Sequence, residues 1–133
     1  MTPPVLFLYG SLREGQPAHA EQDVARRSRH IGTDRVSGRL LDMGAWPALV
    51  PGCGGCVAGE LRLVLDASLL ADLDVFERAL PGCDGGQIFE RRSLRTIGGY
   101  EVQVYAWLGR GDVAPSVSHG DWTRHLQHMG KSI

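Results

Sequence analysis

The sequence lacks the features that mark secreted, membrane and nucleic-acid-binding proteins. It has only three cysteines, at 53, 56 and 83, and an odd number without a signal peptide favours a reducing compartment. No apolar run approaches the roughly 18 residues that a membrane-spanning helix needs. The 14 Lys and Arg are balanced by 15 Asp and Glu, so no electrostatic argument favours nucleic acid or an acidic membrane surface. We therefore expect a cytoplasmic protein.

The composition favours a small globular domain built around strands. A length of 133 residues fits one domain, spanning 1–133, and 43% hydrophobic residues is ordinary for a globular chain. The 18 glycines predict many tight turns between strands rather than a bundle of helices. The sequence leaves the oligomeric state open.

The first strand and the turn after it form the most informative stretch. Four apolar residues, Val5-Leu6-Phe7-Leu8, predict a buried strand, and Gly10 then breaks the pattern. A buried strand that feeds a glycine turn exposes consecutive backbone N–H groups at Gly10, Ser11 and Leu12. Such groups suit an anion, either a carboxylate or a phosphate. The alternative is a first strand and a tight turn without a ligand.

The remaining segments predict a mostly β chain with a few helices. Alternation over 57–64 indicates a half-buried strand, and Gly98-Gly99 between two strand patterns indicates a hairpin. The other expected elements are a weak helix or ordered loop at 17–29, a strand at 34–43 broken by Gly38, a short extended edge piece within 44–52, a turn at 53–56, and a final helix at 122–129.

The clearest predicted helix, Asp66 to Leu80, carries a carboxylate within its apolar stripe. Asp66 can cap the start, and Pro81-Gly82 follows the end. Glu77 lies about 20° from Leu70 around the helix axis, inside the stripe that faces the core. Burying a carboxylate is costly unless something pairs or uses it. Glu77 is therefore a candidate catalytic group, a paired structural residue, or a residue at the rim of the stripe.

Other chemistries find less support in the residues. Cys53-Gly-Gly-Cys56 has a spacing seen in metal and redox sites, but zinc needs four ligands, which leaves Cys83 and a histidine to complete the set. No Gly-x-Ser-x-Gly elbow surrounds Ser11, and no Gly-Lys-Ser/Thr ends the Gly10–Gly15 loop. All five histidines lie in polar segments, which predicts that they are surface residues.

The sequence resembles the gamma-glutamylcyclotransferase-like family. The matches run along the whole chain and include Leu8 to Pro17, Trp46-Pro47-Ala48, Val57 to Leu61, Leu73-Asp74-Val75-Phe76-Glu77, Phe89-Glu90-Arg91, Val104 to Trp107 and Ser118 to Trp122. The resemblance implies an α+β fold, a small mixed β-barrel flanked by short helices. It also implies that Tyr9, Gly10, Ser11 and Leu12 hold a glutamyl group, that Tyr105 contributes to substrate binding, and that Glu77 is the general base.

The activity that the resemblance implies is an intramolecular aminolysis of a γ-glutamyl amide. The glutamyl α-amine attacks the γ-carbonyl and releases 5-oxoproline and a free amine, without metal or cofactor. Burial should raise the pKa of Glu77, and a pKa near ~6–7 would suit a base. The released amine could be an amino acid, an isopeptide lysine, a polyamine or an aminoglycoside. A non-catalytic binding module of the same fold is the alternative.

Two positions depart from the family pattern. Phe89 stands where the family usually has tyrosine, so any role of that hydroxyl is lost. Arg78 stands where glycine is common after the glutamate, and it could alter the rim of the pocket.

Overall fold

A computed structural model describes residues 3–78, 89–109 and 112–129. These residues form five strands and four short helices. In chain order they are β1 (Val5–Leu8), α1 (Pro17–Glu21), α2 (Val24–Arg27), β2 (Ser28–Asp42), β3 (Pro47–Val64), α3 (Ser68–Arg78), β4 (Phe89–Arg95), β5 (Glu101–Trp107) and α4 (Trp122–His128).

The five strands close into a small barrel because β3 pairs with three neighbours. It runs antiparallel to β2 and to β1, and its Leu49 pairs with Ala106 of β5 in parallel. Strand β1 also pairs with β5 in parallel, through Leu6 and Gln103. The strands β3, β1 and β5 therefore form a closed cycle. The expected fold class, a mixed β-barrel with short helices, is confirmed.

Several predicted elements are present with similar bounds. The strand at 5–8, the hairpin around Gly98-Gly99 and the last helix all form. The predicted helix 66–80 is α3. Its N-terminal end is held by the Asp66 carboxylate, which accepts from the Ser68 N–H at 3.0 Å. Residues 79–88, which include the expected end of that helix, lie outside the described residues.

The prediction for 44–56 is wrong in two respects. An edge piece and a turn were expected, but 47–64 form one strand with partners on both sides. Its pairing with β2 jumps between Gly38↔Pro51 and Ser37↔Cys56, so the four residues between Pro51 and Cys56 have no partner in β2. This bulge accommodates Pro51, which has no N–H to donate, without ending the strand.

The second half of β3 is buried on both faces, where a half-buried strand was expected. Glu60 and Arg62, which alternate with Leu61 along the strand, are each only 4% exposed. The segment between β1 and β2 contacts Glu60 through the Glu14 N–H, and Arg62 donates to Ser28, the first residue of β2. Within the described ranges, the helices are too short or too polar to cross a bilayer.

Candidate functional site

One pocket brings together all six residues that the sequence proposed for the site. The end of β1 and the turn after it supply Tyr9, Gly10, Ser11 and Leu12, α3 supplies Glu77, and β5 supplies Tyr105. The space has an empty volume of about 350 Å³, including its open mouth. Sequence reasoning did not assign the remaining described lining residues, which are Phe7, Leu8, Trp46 and Pro47.

The segment 10–15, which we call the pocket turn, is closed by the Arg13 N–H donating to the Gly10 carbonyl at 3.0 Å. The backbone at Gly10 lies directly against the ring of Pro47, and a Cβ added there would overlap that ring. Glycine is therefore required by the close approach of two pocket walls. This contact with Pro47 explains why the Trp46-Pro47 segment lines the same pocket.

Two buried polar side chains hold the pocket turn from outside the pocket. His19 Nδ1 lies 2.8 Å from the Leu12 carbonyl oxygen, and because a carbonyl only accepts, Nδ1 carries the proton. Glu60 Oε1 accepts from the Glu14 N–H at 2.6 Å. His19 is only 7% exposed, so its predicted surface location is wrong. The position of the turn is thus fixed at Leu12 and at Glu14.

Glu60 is itself compensated by cationic and polar neighbours. Its Oε2 lies 3.3 Å from Nη1 of Arg62 and 3.8 Å from Nε2 of His30. Arg62 Nε in turn donates to the Ser28 hydroxyl at 2.7 Å, and that hydroxyl donates to the Val24 carbonyl. This buried network connects β3 to α2 and, through Glu60, to the pocket turn.

The Tyr9 hydroxyl makes two hydrogen bonds to the wall of the barrel beside the pocket. It donates to the Tyr105 carbonyl at 2.6 Å and accepts from the Leu49 N–H at 3.2 Å. Burial and the Glu77 carboxylate raise the pKa of Tyr9 well above its ordinary value, so the phenol stays neutral. The side chain thereby connects the end of β1 to β5 and β3.

Glu77 reaches the pocket because the apolar side of α3 packs on the barrel. Leu69 and Leu73 of that side are fully buried, and Glu77 lies one turn beyond Leu73, partly buried in the pocket wall. Burial, and then the nearby Asp74 carboxylate, raise the pKa of Glu77 to about 8. The direction agrees with the expectation from the sequence, and the value is higher than the range of ~6–7 expected there.

Behind Tyr105 lies a polar network that the sequence analysis missed. The Tyr105 hydroxyl donates to Asp74 Oδ1 at 2.7 Å, and Arg91 Nε donates to the same oxygen at 2.9 Å. Arg91 Nη1 also donates to Gln103 at 3.0 Å. One signal was available, because Asp74 lies three residues before Glu77 and so close to it on the helix surface.

Of the two departures from the family pattern, the structure describes the side-chain surroundings of Phe89. Phe89 is 4% exposed and packs edge-on against Trp46 and Trp107, with ring centroids 5.3 and 5.4 Å apart. It therefore supports the Trp46 wall from behind. The side chain of Arg78 lies outside the described residues.

The cysteine hypothesis receives no support from the described parts of the chain. Cys56 is a free thiol, whereas Cys83 and the side chain of Cys53 lie outside the described residues. Within 3–78, 89–109 and 112–129, no group of three or more His, Cys, Asp or Glu residues is placed to hold a metal ion.

Comparison with known proteins gives concordant matches. The family model "Gamma-glutamyl cyclotransferase, AIG2-like" matches residues 6–124. The gamma-glutamylaminecyclotransferase of Rattus norvegicus is 32% identical over 122 residues, which cover 84% of this chain and 72% of that protein. Its counterpart from Mus musculus is 34% identical with the same coverage.

A solved structure supports the fold over the whole chain. The crystal structure of an AIG2-like protein from Mus musculus superposes with a TM-score of 0.70 at 24% identity, covering 100% of this chain and 97% of that one.

Proposed function

The chain belongs to the gamma-glutamyl cyclotransferase, AIG2-like family, and from that premise we propose that it cleaves a γ-glutamyl amide by intramolecular aminolysis. Glu77 is the general base, and the pocket turn holds the glutamyl group. The observation that carries this proposal is that Glu77 lines the same pocket as the backbone of Gly10, Ser11 and Leu12. The products are 5-oxoproline and a free amine.

The reaction begins with a proton transfer for which Glu77 is well matched. The α-ammonium of a peptide chain has a pKa of about 7.7–8, and the neighbouring α-carboxylate of a γ-glutamyl substrate raises that value. Burial raises the pKa of Glu77 to about 8, so the proton transfer costs much less free energy than it would with an ordinary carboxylate. A carboxylate with an ordinary pKa would be a much weaker base for this ammonium.

The covalent step closes a five-membered ring. The lone pair of the α-nitrogen forms a bond to the γ-carbonyl carbon, and the C–N bond to the leaving amine breaks as Glu77 returns its proton to the leaving nitrogen. The ring nitrogen then gives its second proton to the Glu77 carboxylate, which passes it to the freed amine, so the products are the lactam and an ammonium and the carboxylate is regenerated. No water is consumed, and the step needs no redox change.

Ring closure also depends on the conformation of the glutamyl chain. Binding of the α-carboxylate to the N–H groups of the pocket turn would hold the α-amine close to the γ-carbonyl, which is catalysis by orientation. The supports at Leu12 and Glu14 favour this role, because a turn fixed from outside loses little entropy when a substrate binds.

The names of the curated relatives point to a class of substrate. Both relatives are gamma-glutamylaminecyclotransferases, and we infer that a γ-glutamylamine is the substrate here too. In this arrangement the glutamyl group lies against the pocket turn, and the amine extends along the Trp46-Pro47 wall toward the open mouth.

The test is 5-oxoproline release from a panel of γ-glutamyl amides at pH 8, with Glu77→Gln beside the native protein. The panel contains a γ-glutamyl amino acid, a γ-glutamyl isopeptide of lysine, a γ-glutamyl polyamine and a γ-glutamyl aminoglycoside. Glutamine keeps the size of the side chain but accepts no proton, so the rate should fall by about 100-fold or more. Glu90→Gln, at an exposed residue of β4, is the matched control and should retain the native rate.

Equal release by native protein and Glu77→Gln would show that Glu77 is not the base. If native protein releases no 5-oxoproline from any amide but binds the panel in calorimetry, the binding-module alternative replaces the proposal.

A further inference from the structure

We propose that Asp74, Arg91 and Tyr105 form a positioning network for the proton transfer at Glu77, in which Asp74 holds the Tyr105 hydroxyl as an acceptor for the substrate's α-amine and Arg91 holds Asp74. This inference rests on the proposed function. It adds two positioning residues outside the described pocket lining, Asp74 and Arg91. It also makes the Tyr105 hydroxyl a donor to Asp74 and an acceptor for the substrate.

The geometry places the network on three elements that meet behind the pocket. Asp74 is on α3, Arg91 on β4 and Tyr105 on β5. Asp74 Oδ1 receives the Tyr105 hydroxyl at 2.7 Å and Arg91 Nε at 2.9 Å, and Arg91 Nη2 lies 3.3 Å from Oδ2. Arg91 and Asp74 are each between a quarter and a third exposed, so the pair is shielded from full solvent screening.

The hydrogen bond to Asp74 decides what Tyr105 can do in the pocket. The Tyr105 hydroxyl has one proton, and it donates that proton in a hydrogen bond to the Asp74 carboxylate, which can only accept. The Tyr105 oxygen is left with lone pairs for the substrate. It therefore suits an N–H donor such as the α-amine, and it does not suit the oxyanion that develops at the γ-carbonyl. Glu77 and Tyr105 line one pocket, so one amine can donate to both.

Asp74 also contributes charge next to the base. Asp74, on the same helix, is a charged group that raises the pKa of Glu77. Glu77 in turn raises the pKa values of Tyr9, after β1, and of Tyr105 on β5, and Arg91 is paired with Asp74. The pKa values of both tyrosines are raised, chiefly by burial, so these groups stay neutral between pH 6 and 9. Asp74 and Arg91 are then the charged groups whose removal should change the titration of Glu77.

Variants that remove the negative charge of Asp74 or the positive charge of Arg91 provide the test. Asp74→Asn, Arg91→Gln and Tyr105→Phe are compared with native protein by the pH dependence of kcat and KM, using an amide that the native protein turns over. Asp74→Asn should lower the apparent pKa of the acidic limb of the profile by about half a unit to one unit, because a like charge is removed. Arg91→Gln should move it up, because Asp74 is left uncompensated.

Tyr105→Phe changes no charge and should lower kcat about tenfold with the limb unmoved. In the Tyr105→Phe background, Asp74→Asn should still move the limb but lower kcat little further, because Asp74 acts on the amine through Tyr105. Arg92→Gln on the same strand, which breaks an exposed pair with Glu90, and Asp72→Asn, at an exposed residue of α3, are the matched controls and should change neither quantity.

A second measurement separates this inference from the proposed function. The midpoint of Glu77 is followed by carbon-13 NMR of the labelled carboxyl group, which needs no turnover. Midpoints that move in opposite directions in Asp74→Asn and Arg91→Gln support the network even if no amide is cleaved. Unchanged midpoints in both variants, with loss of thermal stability alone, would reduce the network to a structural ion pair and overturn the inference.

Discussion

Glu60 and Glu77 lie near the same turn, but Glu60 has a cationic neighbour, whereas Glu77 has an anionic one. Glu60 is 4% exposed, and it faces Arg62 at 3.3 Å while it accepts from the Glu14 N–H. Glu77 is acted on by another carboxylate, Asp74, and its pKa is raised to about 8. The contrast separates two uses of a buried acid. Glu60 is paired with cationic and amide neighbours and fixes the backbone, whereas burial and a like charge raise the pKa of Glu77 so that it can exchange a proton near neutral pH.

The largest expected effect comes from removing Arg62, the cationic partner of Glu60. Arg62→Met should lower the free energy of unfolding by about 3 kcal/mol, because it leaves the Glu60 charge buried without its guanidinium. Chemical denaturation at pH 7 measures the loss.

Two variants calibrate that result. Adding Glu60→Gln to Arg62→Met should recover much of the stability, since no buried charge remains. Arg92→Met removes an exposed ion pair and should change stability by less than about 0.5 kcal/mol. Equal losses in Arg62→Met and Arg92→Met would contradict the assignment of a buried, compensated Glu60.

A smaller effect of opposite sign is expected at Glu77. Its pKa is about 8 in the folded protein and near 4.3 in the unfolded chain. Between these values the folded state binds more protons, so the native protein loses stability as pH rises from about 4.5 to 8. Glu77→Gln does not titrate and should therefore be more stable than native protein by about 1–2 kcal/mol at pH 8.

Thermal unfolding at pH 4.5 and pH 8 measures this difference, which should vanish at the lower pH. Glu60→Gln provides the contrast within the molecule, because it should be less stable than native protein at pH 8. A Glu77→Gln variant that is destabilised at pH 8 would mean that Glu77 is a paired structural residue.

The smallest effect is expected at His19, which supports the pocket turn at Leu12. His19→Ala should raise KM about fivefold, since it removes one hydrogen bond worth about 1 kcal/mol. It should leave kcat within about twofold, because in the proposed mechanism the turn binds the glutamyl carboxylate equally in the ground and transition states.

His19→Asn is the rescue variant, because its side-chain N–H group can replace Nδ1. Steady-state kinetics on both variants measures the split between KM and kcat. A loss of kcat without a change in KM would show that His19 acts on the chemical step instead.

Local pattern was enough to pick out residues that the structure brings into one pocket. The glycine after a buried strand marked the pocket turn, and a single acid inside an apolar helical stripe marked Glu77. Local pattern was not enough at His19, which was predicted to be a surface residue, and it did not reveal the buried pair of Glu60 and Arg62. These residues are buried because the segment between β1 and β2 folds back over β3, and a one-dimensional alternation pattern does not contain that contact.

What the sequence determined by itself was therefore most of the local elements and the two groups, backbone N–H and carboxylate, that the proposed cyclisation needs. The tertiary structure decided their mutual placement. Closure of the barrel through β3 brings Pro47 against Gly10, and the packed α3 brings Glu77 into the same pocket as the turn. It also joins Asp74, Arg91 and Tyr105 across three elements. Neighbours distant in the chain set the electrostatic surroundings of a side chain, and only the folded barrel brings those neighbours together.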